Sequence, residues 1–278
     1  MGANRITITQ LQEMKKKGEK ISMVTAYDYS MAKLVDEAGL EMILVGDSLG
    51  MVVLGYDTTI PVTLDDMIHH AKAVTRGAKS SLVVADLPFL SYQISTEQAL
   101  QSARRMMQEA GVQALKLEGG SEIAPTVRAL VNAGVPVMGH LGLTPQAVNQ
   151  LGGFKVQGKD LKGAKKIIKD AEALEEAGAF AIVLECVPAP LAKIITERLS
   201  IPVIGIGAGN GCDGQVLVIN DLLGFFNDFT PKFVKRYGEF GKQIVEALKL
   251  YKQEVSSGQF PAAEHCFSMQ EETLSKLY

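Results

Sequence analysis

The sequence has few cysteines, almost no net charge and no long apolar run, and each shortage removes a class of protein. Its 278 residues hold three cysteines. Cys186, Cys212 and Cys266 are odd in number and widely spaced, which argues for a reducing compartment and against a disulfide framework. No two of them stand at the spacing of a zinc-binding pair. The formal net charge is -3, which offers no electrostatic reason to bind nucleic acid or a membrane surface. No apolar stretch approaches the ~20 residues that span a bilayer. The opening residues MGANRITITQ lack the apolar core of a secretion signal. Ile6 stands where a myristoylation signal wants Ser or Thr. The expectation is a cytoplasmic protein with no nucleic-acid or membrane partner. At 47% hydrophobic, the chain can bury a large core, and one barrel-type domain can use all of it.

What the sequence does have is a repeated local device. Glu37-Ala38-Gly39, Glu109-Ala110-Gly111, Asn132-Ala133-Gly134 and Glu176-Ala177-Gly178 each precede a short apolar run. A glycine after the last helical turn takes the left-handed conformation that ends a helix, and the apolar run that follows is the next strand. The helices between fit this pattern. Ala99, Leu100, Ala103, Met106, Met107 and Ala110 share one helical face, as do Leu161, Ala164, Ile167, Ile168, Ala171 and Leu174. Ser95 with Gln98 reads as a capping box. Pro188 and Pro190 suit the first turn of a helix running towards Leu199. The strands expected are Ile21–Thr25, Met42–Val45, Leu82–Ala85, Ala114–Leu117, Val135–Met138, Phe180–Leu184, Val203–Ile206 and Val216–Ile219. About eight strands alternating with helices in a chain near ~250 residues predict an α/β fold, a (β/α)8 TIM barrel. A doubly wound open sheet is the competing architecture. The run after Pro231 reads as one long helix, so residues 1–278 are expected to form a single catalytic domain with a C-terminal helical extension.

Four acidic residues mark the ends of these runs: Asp47 in MILVGDS, Asp86 in LVVADLP, Glu118 in ALKLEGG and Glu185 in AIVLECV. Strands covered on both faces carry almost no charge along their length. Carboxylates at several strand ends therefore gather on one rim, where α/β enzymes keep their chemistry. Side chains alternate along a strand, so Lys116 and Glu118 share the inward face. A buried ammonium needs a negative partner. Lys116 is then either one half of a Lys–Glu pair or the receiver of an anionic substrate. Asp47, Asp86 and Glu118 repel one another unless a cation relieves them, and an oxygen-only donor set selects magnesium or a similar hard ion. Asp47 can equally cap a helix or bond loop amides. Glu185 is a candidate general base or an ion-pair partner. Ser48 can hydrogen-bond a substrate or only the local backbone. His140 lies near a strand end and can reach a substrate. The glycine-rich Gly205–Gly211 segment is either a phosphate cradle or a tight loop. His69 and His70 fall within a helix and read as structural, and Met106 and Met107 as core.

Taken together, VTAYDYSMAKLVDEAG, ILVGDSLGMVVLGYDTTIPVTLDDMIHHAKAV, VVADLPFLSY, ALKLEGG, PVMGHLGLTPQ, GGFKVQGK, VLECVP and IPVIGIGAGNGCDGQVLV resemble the ketopantoate hydroxymethyltransferase family. The stretches run in order from about Val24 to Asp221, and the resemblance fades at both ends. It implies a cytoplasmic enzyme of pantothenate synthesis on a TIM barrel. Such enzymes transfer a hydroxymethyl group from 5,10-methylenetetrahydrofolate to 3-methyl-2-oxobutanoate, giving 2-dehydropantoate, with one Mg2+ per subunit. By the same resemblance, Asp47, Asp86 and Glu118 fall on metal positions. Asp47, Ser48, Asp86 and Lys116 fall on substrate positions, and Glu185 on the proton acceptor. A homo-oligomer, a decamer, is the implied assembly. The rival chemistry is a magnesium-dependent C–C lyase or phosphonate mutase acting on another 2-oxo acid. A barrel that binds or scaffolds without turnover is the rival from outside enzymology.

Overall fold

A computed structural model describes residues 5–226 and 230–278. Eight strands, β1 (Ile21–Thr25), β2 (Met42–Val45), β3 (Leu82–Asp86), β4 (Ala114–Glu118), β5 (Val137–Gly142), β6 (Ala181–Glu185), β7 (Val203–Ile206) and β8 (Gly214–Leu217), pair in chain order. All pairs are parallel, and β8 returns to β1 with Met23 opposite Val216. The closed barrel agrees with the expected fold class and excludes the open sheet.

Alternation decides what the barrel interior holds. Ile21, Met23, Met42, Leu44, Leu82, Val84, Ala114, Met138, Ala181, Val183, Ile204 and Val216 form one buried apolar cluster. Leu11, from the helix Ile8–Lys17, joins them, with Ile8 and Met14 packed against the cluster. Two residues further along the same inward columns the chemistry changes from hydrocarbon to charge: Val84 leads to Asp86, Ala114 to Lys116 and Glu118, Met138 to His140, and Val183 to Glu185. The floor of the barrel is a packed core, and its C-terminal end is polar.

Several strands run further than their apolar residues suggest. Asp86, Glu118 and Glu185 are the last residues of their strands, because the ladder continues beneath them. Leu87 donates to the Lys116 carbonyl at 3.0 Å, Gly119 to His140 at 3.2 Å, and Cys186 to Ile206 at 2.9 Å. β5 lies two residues later than expected at its start and extends to Gly142, which puts His140 inside the strand. β8 begins at Gly214, whose missing side chain admits the Ile21 carbonyl; a Cβ there would lie 2.4 Å from that oxygen.

The helices follow their sequence signals with small changes. Ser95 caps the helix Thr96–Arg105 by accepting from the Gln98 amide, but the Gln98 side chain accepts from Ile94 and not from Ser95. The next turn, Met106–Ala110, is a π-helix closed by Gly111 at φ 72°. His69 and His70 lie in the helix Leu64–Gly77, where His70 Nδ1 is 2.6 Å from the Tyr27 carbonyl.

Contacts divide the chain into two units. One, residues up to Ile219 with Pro231–Val234, contains the whole barrel. The other comprises Asn220–Thr230 and Lys235–Tyr278. Its main element is the helix Phe240–Ser257, which starts later than the run after Pro231 suggests. The amides of Tyr237, Phe240 and Gly241 are taken by the carbonyls of Leu222, Leu223 and Gly224, so the backbone there is committed before a helix can begin.

Candidate active site

Register explains which charged groups meet at the rim. Asp86 lies opposite Lys116, and Glu118 opposite His140. The Lys116 ammonium stands 2.8 Å from Asp86 Oδ1 and 3.2 Å from His140 Nδ1. Lys116 thus pairs with its cross-strand neighbour and not with Glu118, two residues along its own strand. Glu118 Oε1 instead meets His140 Nδ1 at 3.3 Å. The other imidazole nitrogen, Nε2, is 3.2 Å from Glu185 Oε2, without the alignment of a hydrogen bond. His140 therefore stands between two carboxylates and links β4 to β6.

Asp47 enters from the loop after β2. Its amide donates to Asp86 Oδ2 at 3.0 Å, which brings the two carboxylates together. Ser48 follows, with its hydroxyl 2.9 Å from the Tyr27 hydroxyl. Asp47, Asp86, Lys116, Glu118 and His140 are all buried, whereas the Glu185 side chain keeps 17% of its surface exposed. All six residues expected at a site thus lie on the C-terminal rim, five of them in one continuous polar cluster and Ser48 beside it. Gly142, opposite Glu185 in the ladder, has φ 92°, and a Cβ there would lie 2.2 Å from the Glu185 carbonyl oxygen. Only glycine permits that approach.

Two residues that sequence reasoning did not single out hold the cluster together. Gln146, in the short turn Pro145–Ala147 after β5, donates from Nε2 to Asp47 Oδ2 at 2.8 Å and to the Leu87 carbonyl at 2.9 Å. Its backbone amide donates to Glu118 Oε2 at 3.0 Å. Its Oε1 accepts from the Tyr92 hydroxyl at 3.0 Å. Tyr92 also lies 2.8 Å from the Glu118 carbonyl and 3.0 Å from the Glu118 amide. Both side chains are buried. A glutamine and a tyrosine in loops carry no spacing signal; only the fold brings them to the carboxylates.

Crowding and burial set the charge states. Burial, reinforced by Asp86 and Glu118, holds the Asp47 carboxyl well above its ordinary range against the pull of Lys116 and Gln146. Burial also raises Asp86, with Lys116 opposing it. Burial works against the Glu118 carboxylate too, but the hydrogen bond and charge of His140, with Lys116 and the Gln146 amide, carry it below its ordinary value. For Lys116 burial disfavours the ammonium, and Asp86, Glu118 and Asp47 outweigh it, so the lysine stays charged. His140 loses to burial and to Lys116 but gains more from Glu118 and Glu185, and is pushed up to about 9.

The donor set suits a hard cation. Asp86 Oδ1 is buried and carries no hydrogen bond, although the Lys116 ammonium faces it. Magnesium binds through one or two carboxylates and keeps positions for substrate and water; Asp86 and Asp47 are two such neighbours, and the ion would share Asp86 Oδ1 with the Lys116 ammonium. Among the described residues no group of three or more His, Cys, Asp or Glu side chains is placed so as to hold a metal ion, so Asp47, Asp86 and Glu118 do not converge on one ion as they stand. Beside the cluster opens a cavity of about 860 Å³, sharing Tyr92, Glu118 and Gln146 with it. The Gly205–Gly211 loop feeds directly into β8, with no helix behind it to receive a phosphate. Its glycines serve packing: a Cβ at Gly209 would lie 2.4 Å from that of Ala189.

Comparison with known proteins adds a chemical context. The family model for ketopantoate hydroxymethyltransferase matches residues 5–263. A 3-methyl-2-oxobutanoate hydroxymethyltransferase of Syntrophomonas wolfei is 62% identical over 274 residues, covering 99% of each chain. The enzyme of the same name from Heliobacterium modesticaldum is 62% identical over 270 residues, covering 97% of this chain and 98% of its own. Among solved structures, phosphonopyruvate hydrolase in complex with oxalate and Mg++ superposes with a TM-score of 0.61 at 13% identity, covering 93% of this chain and 92% of its own. A 2,3-dimethylmalate lyase gives 0.58 at 15% identity, covering 97% and 90%. At that identity the likeness is one of fold.

Proposed function

The chain belongs to the ketopantoate hydroxymethyltransferase family and is a transferase; from that premise we propose the reaction and the role of each residue at the rim. The reaction takes 3-methyl-2-oxobutanoate, 5,10-methylenetetrahydrofolate and water to 2-dehydropantoate and tetrahydrofolate, in the pathway to pantothenate and coenzyme A. The place of work is the cytoplasm; among the described residues no helix is long and apolar enough to cross a membrane.

Asp47, Asp86 and Glu118 would hold one Mg2+ per subunit, which when bound polarises the ketone of the 2-oxo acid and so acidifies the neighbouring C–H. The fixed ammonium of Lys116 neutralises the substrate's negative charge and orients it over Asp86. Ser48 adds a hydroxyl at the same edge. Glu185 is the one carboxylate of the rim left partly open, so it can reach the substrate and take its C3 proton. His140 fixes the separation between that base and Glu118. Gln146 and Tyr92 hold Asp47 and Glu118 in place.

The observation that supports this reading most is the difference in burial within the cluster. Three carboxylates are buried around a lysine, and a fourth, across an imidazole, keeps a small part of its surface open. The test is deuterium exchange at C3 of 3-methyl-2-oxobutanoate without folate. A Glu185→Gln variant should bind the acid and exchange at least about a hundredfold more slowly, in keeping with the loss of a general base. Parental rates in the variant would remove Glu185 from that role.

The proposed assembly is a homo-oligomer, a decamer by the family's pattern. The helix Phe240–Ser257 supports self-association: Ile244, Leu248, Tyr251 and Val255 repeat at helical spacing and all are exposed. Sedimentation of the full chain, beside a variant with Leu248 and Tyr251 changed to Lys, would show whether this stripe is covered by a second copy.

A further inference from the structure

Two of the described residues other than glycine have backbones in the left-handed region: Leu90 at φ 59° and Cys186 at φ 49°. A side chain there crowds the carbonyl that follows, so the conformation is uncommon outside glycine, asparagine and aspartate and persists where its surroundings hold it. Leu90 is exposed, in the loop after β3. Cys186 is half-buried and follows Glu185 directly, at the end of β6. Of the two, only Cys186 adjoins a carboxylate of the rim, and that carboxylate is the one given the part of the base.

The peptide groups around this turn are gripped from three sides. The Glu185 carbonyl accepts from the Leu143 amide at 2.8 Å, the Cys186 amide donates to the Ile206 carbonyl at 2.9 Å, and the Cys186 carbonyl accepts from the Gln157 amide at 2.9 Å. Gly142 leaves room for the bend: a Cβ there would lie 2.2 Å from the Glu185 carbonyl oxygen and 2.6 Å from Val187 Cγ2. The turn lays Val187 onto Gly142, where it is buried, and Pro188 then caps the helix Ala189–Arg198. An extended residue at 186 would keep the alternation of the strand and send Val187 inward beside Glu185, into the mouth of the barrel. The thiol is poorly suited to chemistry. Burial and the neighbouring Glu185 charge push it up to about 11, so it stays protonated at neutral pH.

We propose that the left-handed turn at Cys186 positions Glu185: it aims the base at C3 of the 2-oxo acid and keeps Val187 out of the mouth, through the backbone alone and with no part for the sulfur. The inference rests on the role given to Glu185 above. Cys186 is then a positioning residue, and no bond is made or broken at it. Cysteine serves as a small, unbranched side chain that the turn tolerates. A β-branched residue is what the turn excludes, and glycine would adopt it without strain.

A series of variants of the full chain tests it, read by folate-independent C3 deuterium exchange. Cys186→Gly and Cys186→Asn both suit a left-handed backbone and differ in size and polarity. Cys186→Ser keeps the shape without the sulfur, and Cys186→Val keeps the bulk and adds the branch. The rates should follow tolerance of the turn: kcat for exchange within about threefold of the parent for Gly, Asn and Ser, and at least about tenfold lower for Val, with KM for the acid within about threefold throughout, because the acid is held at the ends of β2 to β4. A folded Val variant that exchanges at the parental rate would overturn the proposal, as would a Ser variant slowed as much as Val, which would return the work to the sulfur. Should the Val variant fail to fold, Gly and Asn decide: parental rates in both uphold the proposal, and a loss of about tenfold in both refutes it. Glu185→Gln is the reference. Parental exchange in that variant would remove the base and this role with it, whereas slow exchange there beside a flat Cys186 series would remove the role of the turn alone.

Discussion

Replacing Gln146 with Leu removes four interactions at a buried site and changes little volume. The Asp47 carboxylate loses a donor at 2.8 Å, the Leu87 carbonyl one at 2.9 Å, and Tyr92 and Gln93 lose an acceptor at 3.0 and 3.3 Å. The Tyr92 hydroxyl keeps the Glu118 carbonyl, and Gln93 can turn to water, so two losses remain uncompensated. A buried neutral group left without its partner costs about 1–3 kcal/mol, and a hydrogen bond to a charged group contributes about 1.5–3 kcal/mol. The variant should therefore be about 3–5 kcal/mol less stable in urea unfolding followed by circular dichroism. For a chain of this size that is a fall in Tm of roughly 10 °C. The Gln146 bond favours the ionised form of Asp47, so its loss pushes that carboxyl further up. If Asp47 holds magnesium, the ion concentration needed for half-maximal C3 exchange should rise about tenfold, equivalent to one such bond. Gln146→Glu, of the same shape, sets a carboxylate against Asp47 and should be at least as destabilised near neutral pH. The backbone amide still holds Glu118 in every variant, so the damage is confined to Asp47. A Leu variant within about 1 kcal/mol of the parent, with an unchanged magnesium requirement, would refute the claim that this side chain positions the carboxylates.

Lys116→Met should cost about 3–5 kcal/mol, because Asp86 is left buried without its cation, and should raise KM for the 2-oxo acid far more than it alters that for the folate; the reverse split would move Lys116 out of the acid's site. Gly142→Ala forces a Cβ to 2.2 Å from the Glu185 carbonyl at φ 92°, so the variant should be insoluble or unfold well below the parent in a thermal scan. Asp36 accepts from the amides of Ser80 and Ser81, both at 2.8 Å. Burial opposes its charge, but these bonds hold its carboxyl below the ordinary value. Its contribution is thus complete above the unfolded carboxyl's pKa near ~3.9 and is lost as pH falls through the folded value. Asp36→Ala should cost roughly 1.5–3 kcal/mol at neutral pH and progressively less in acid; a deficit that does not shrink in acid unfolding curves would show that the carboxylate's charge is not what holds the Ser80–Ser81 turn.

How much was legible in the sequence depended on whether a residue's neighbours were local. The apolar runs and glycine stops placed β1, β2 and β7 at their bounds, because strand and helix end are written in adjacent residues. β8 was misplaced because its first residue is a glycine selected by the Ile21 carbonyl, which lies on another strand. The final helix was begun too early because the amides that delay it bond to residues 222–224. In the site, alternation alone put Lys116 and Glu118 inward. It could not show that Lys116 would pair with Asp86, which is a matter of register between β3 and β4. The strand-end carboxylates were visible because charge is rare in an apolar run. Gln146 and Tyr92 were not, because polar residues are ordinary in loops, and only a sequence separation of 99 between Gln146 and Asp47 turns one of them into a clamp. The division of roles among the carboxylates came from resemblance.

The ring of strands closes only when β8 meets β1. Roughly 100 residues separate Glu118 from the end of β8, and at ~5–20 residues per second a ribosome needs roughly 5–20 s to supply them. For that interval β2, β3 and β4 are outside the peptide tunnel as apolar ribbons with unpaired edges, the form most open to misassembly with other chains. Asp47, Asp86, Lys116 and Glu118 then stand in water at the ends of those ribbons, where charge interrupts strand stacking. The charged residues of the rim are thus placed where a gatekeeper against strand stacking would stand. Neutralising them should lower the soluble yield, measured against the parent chain at equal expression, separately from any cost in activity.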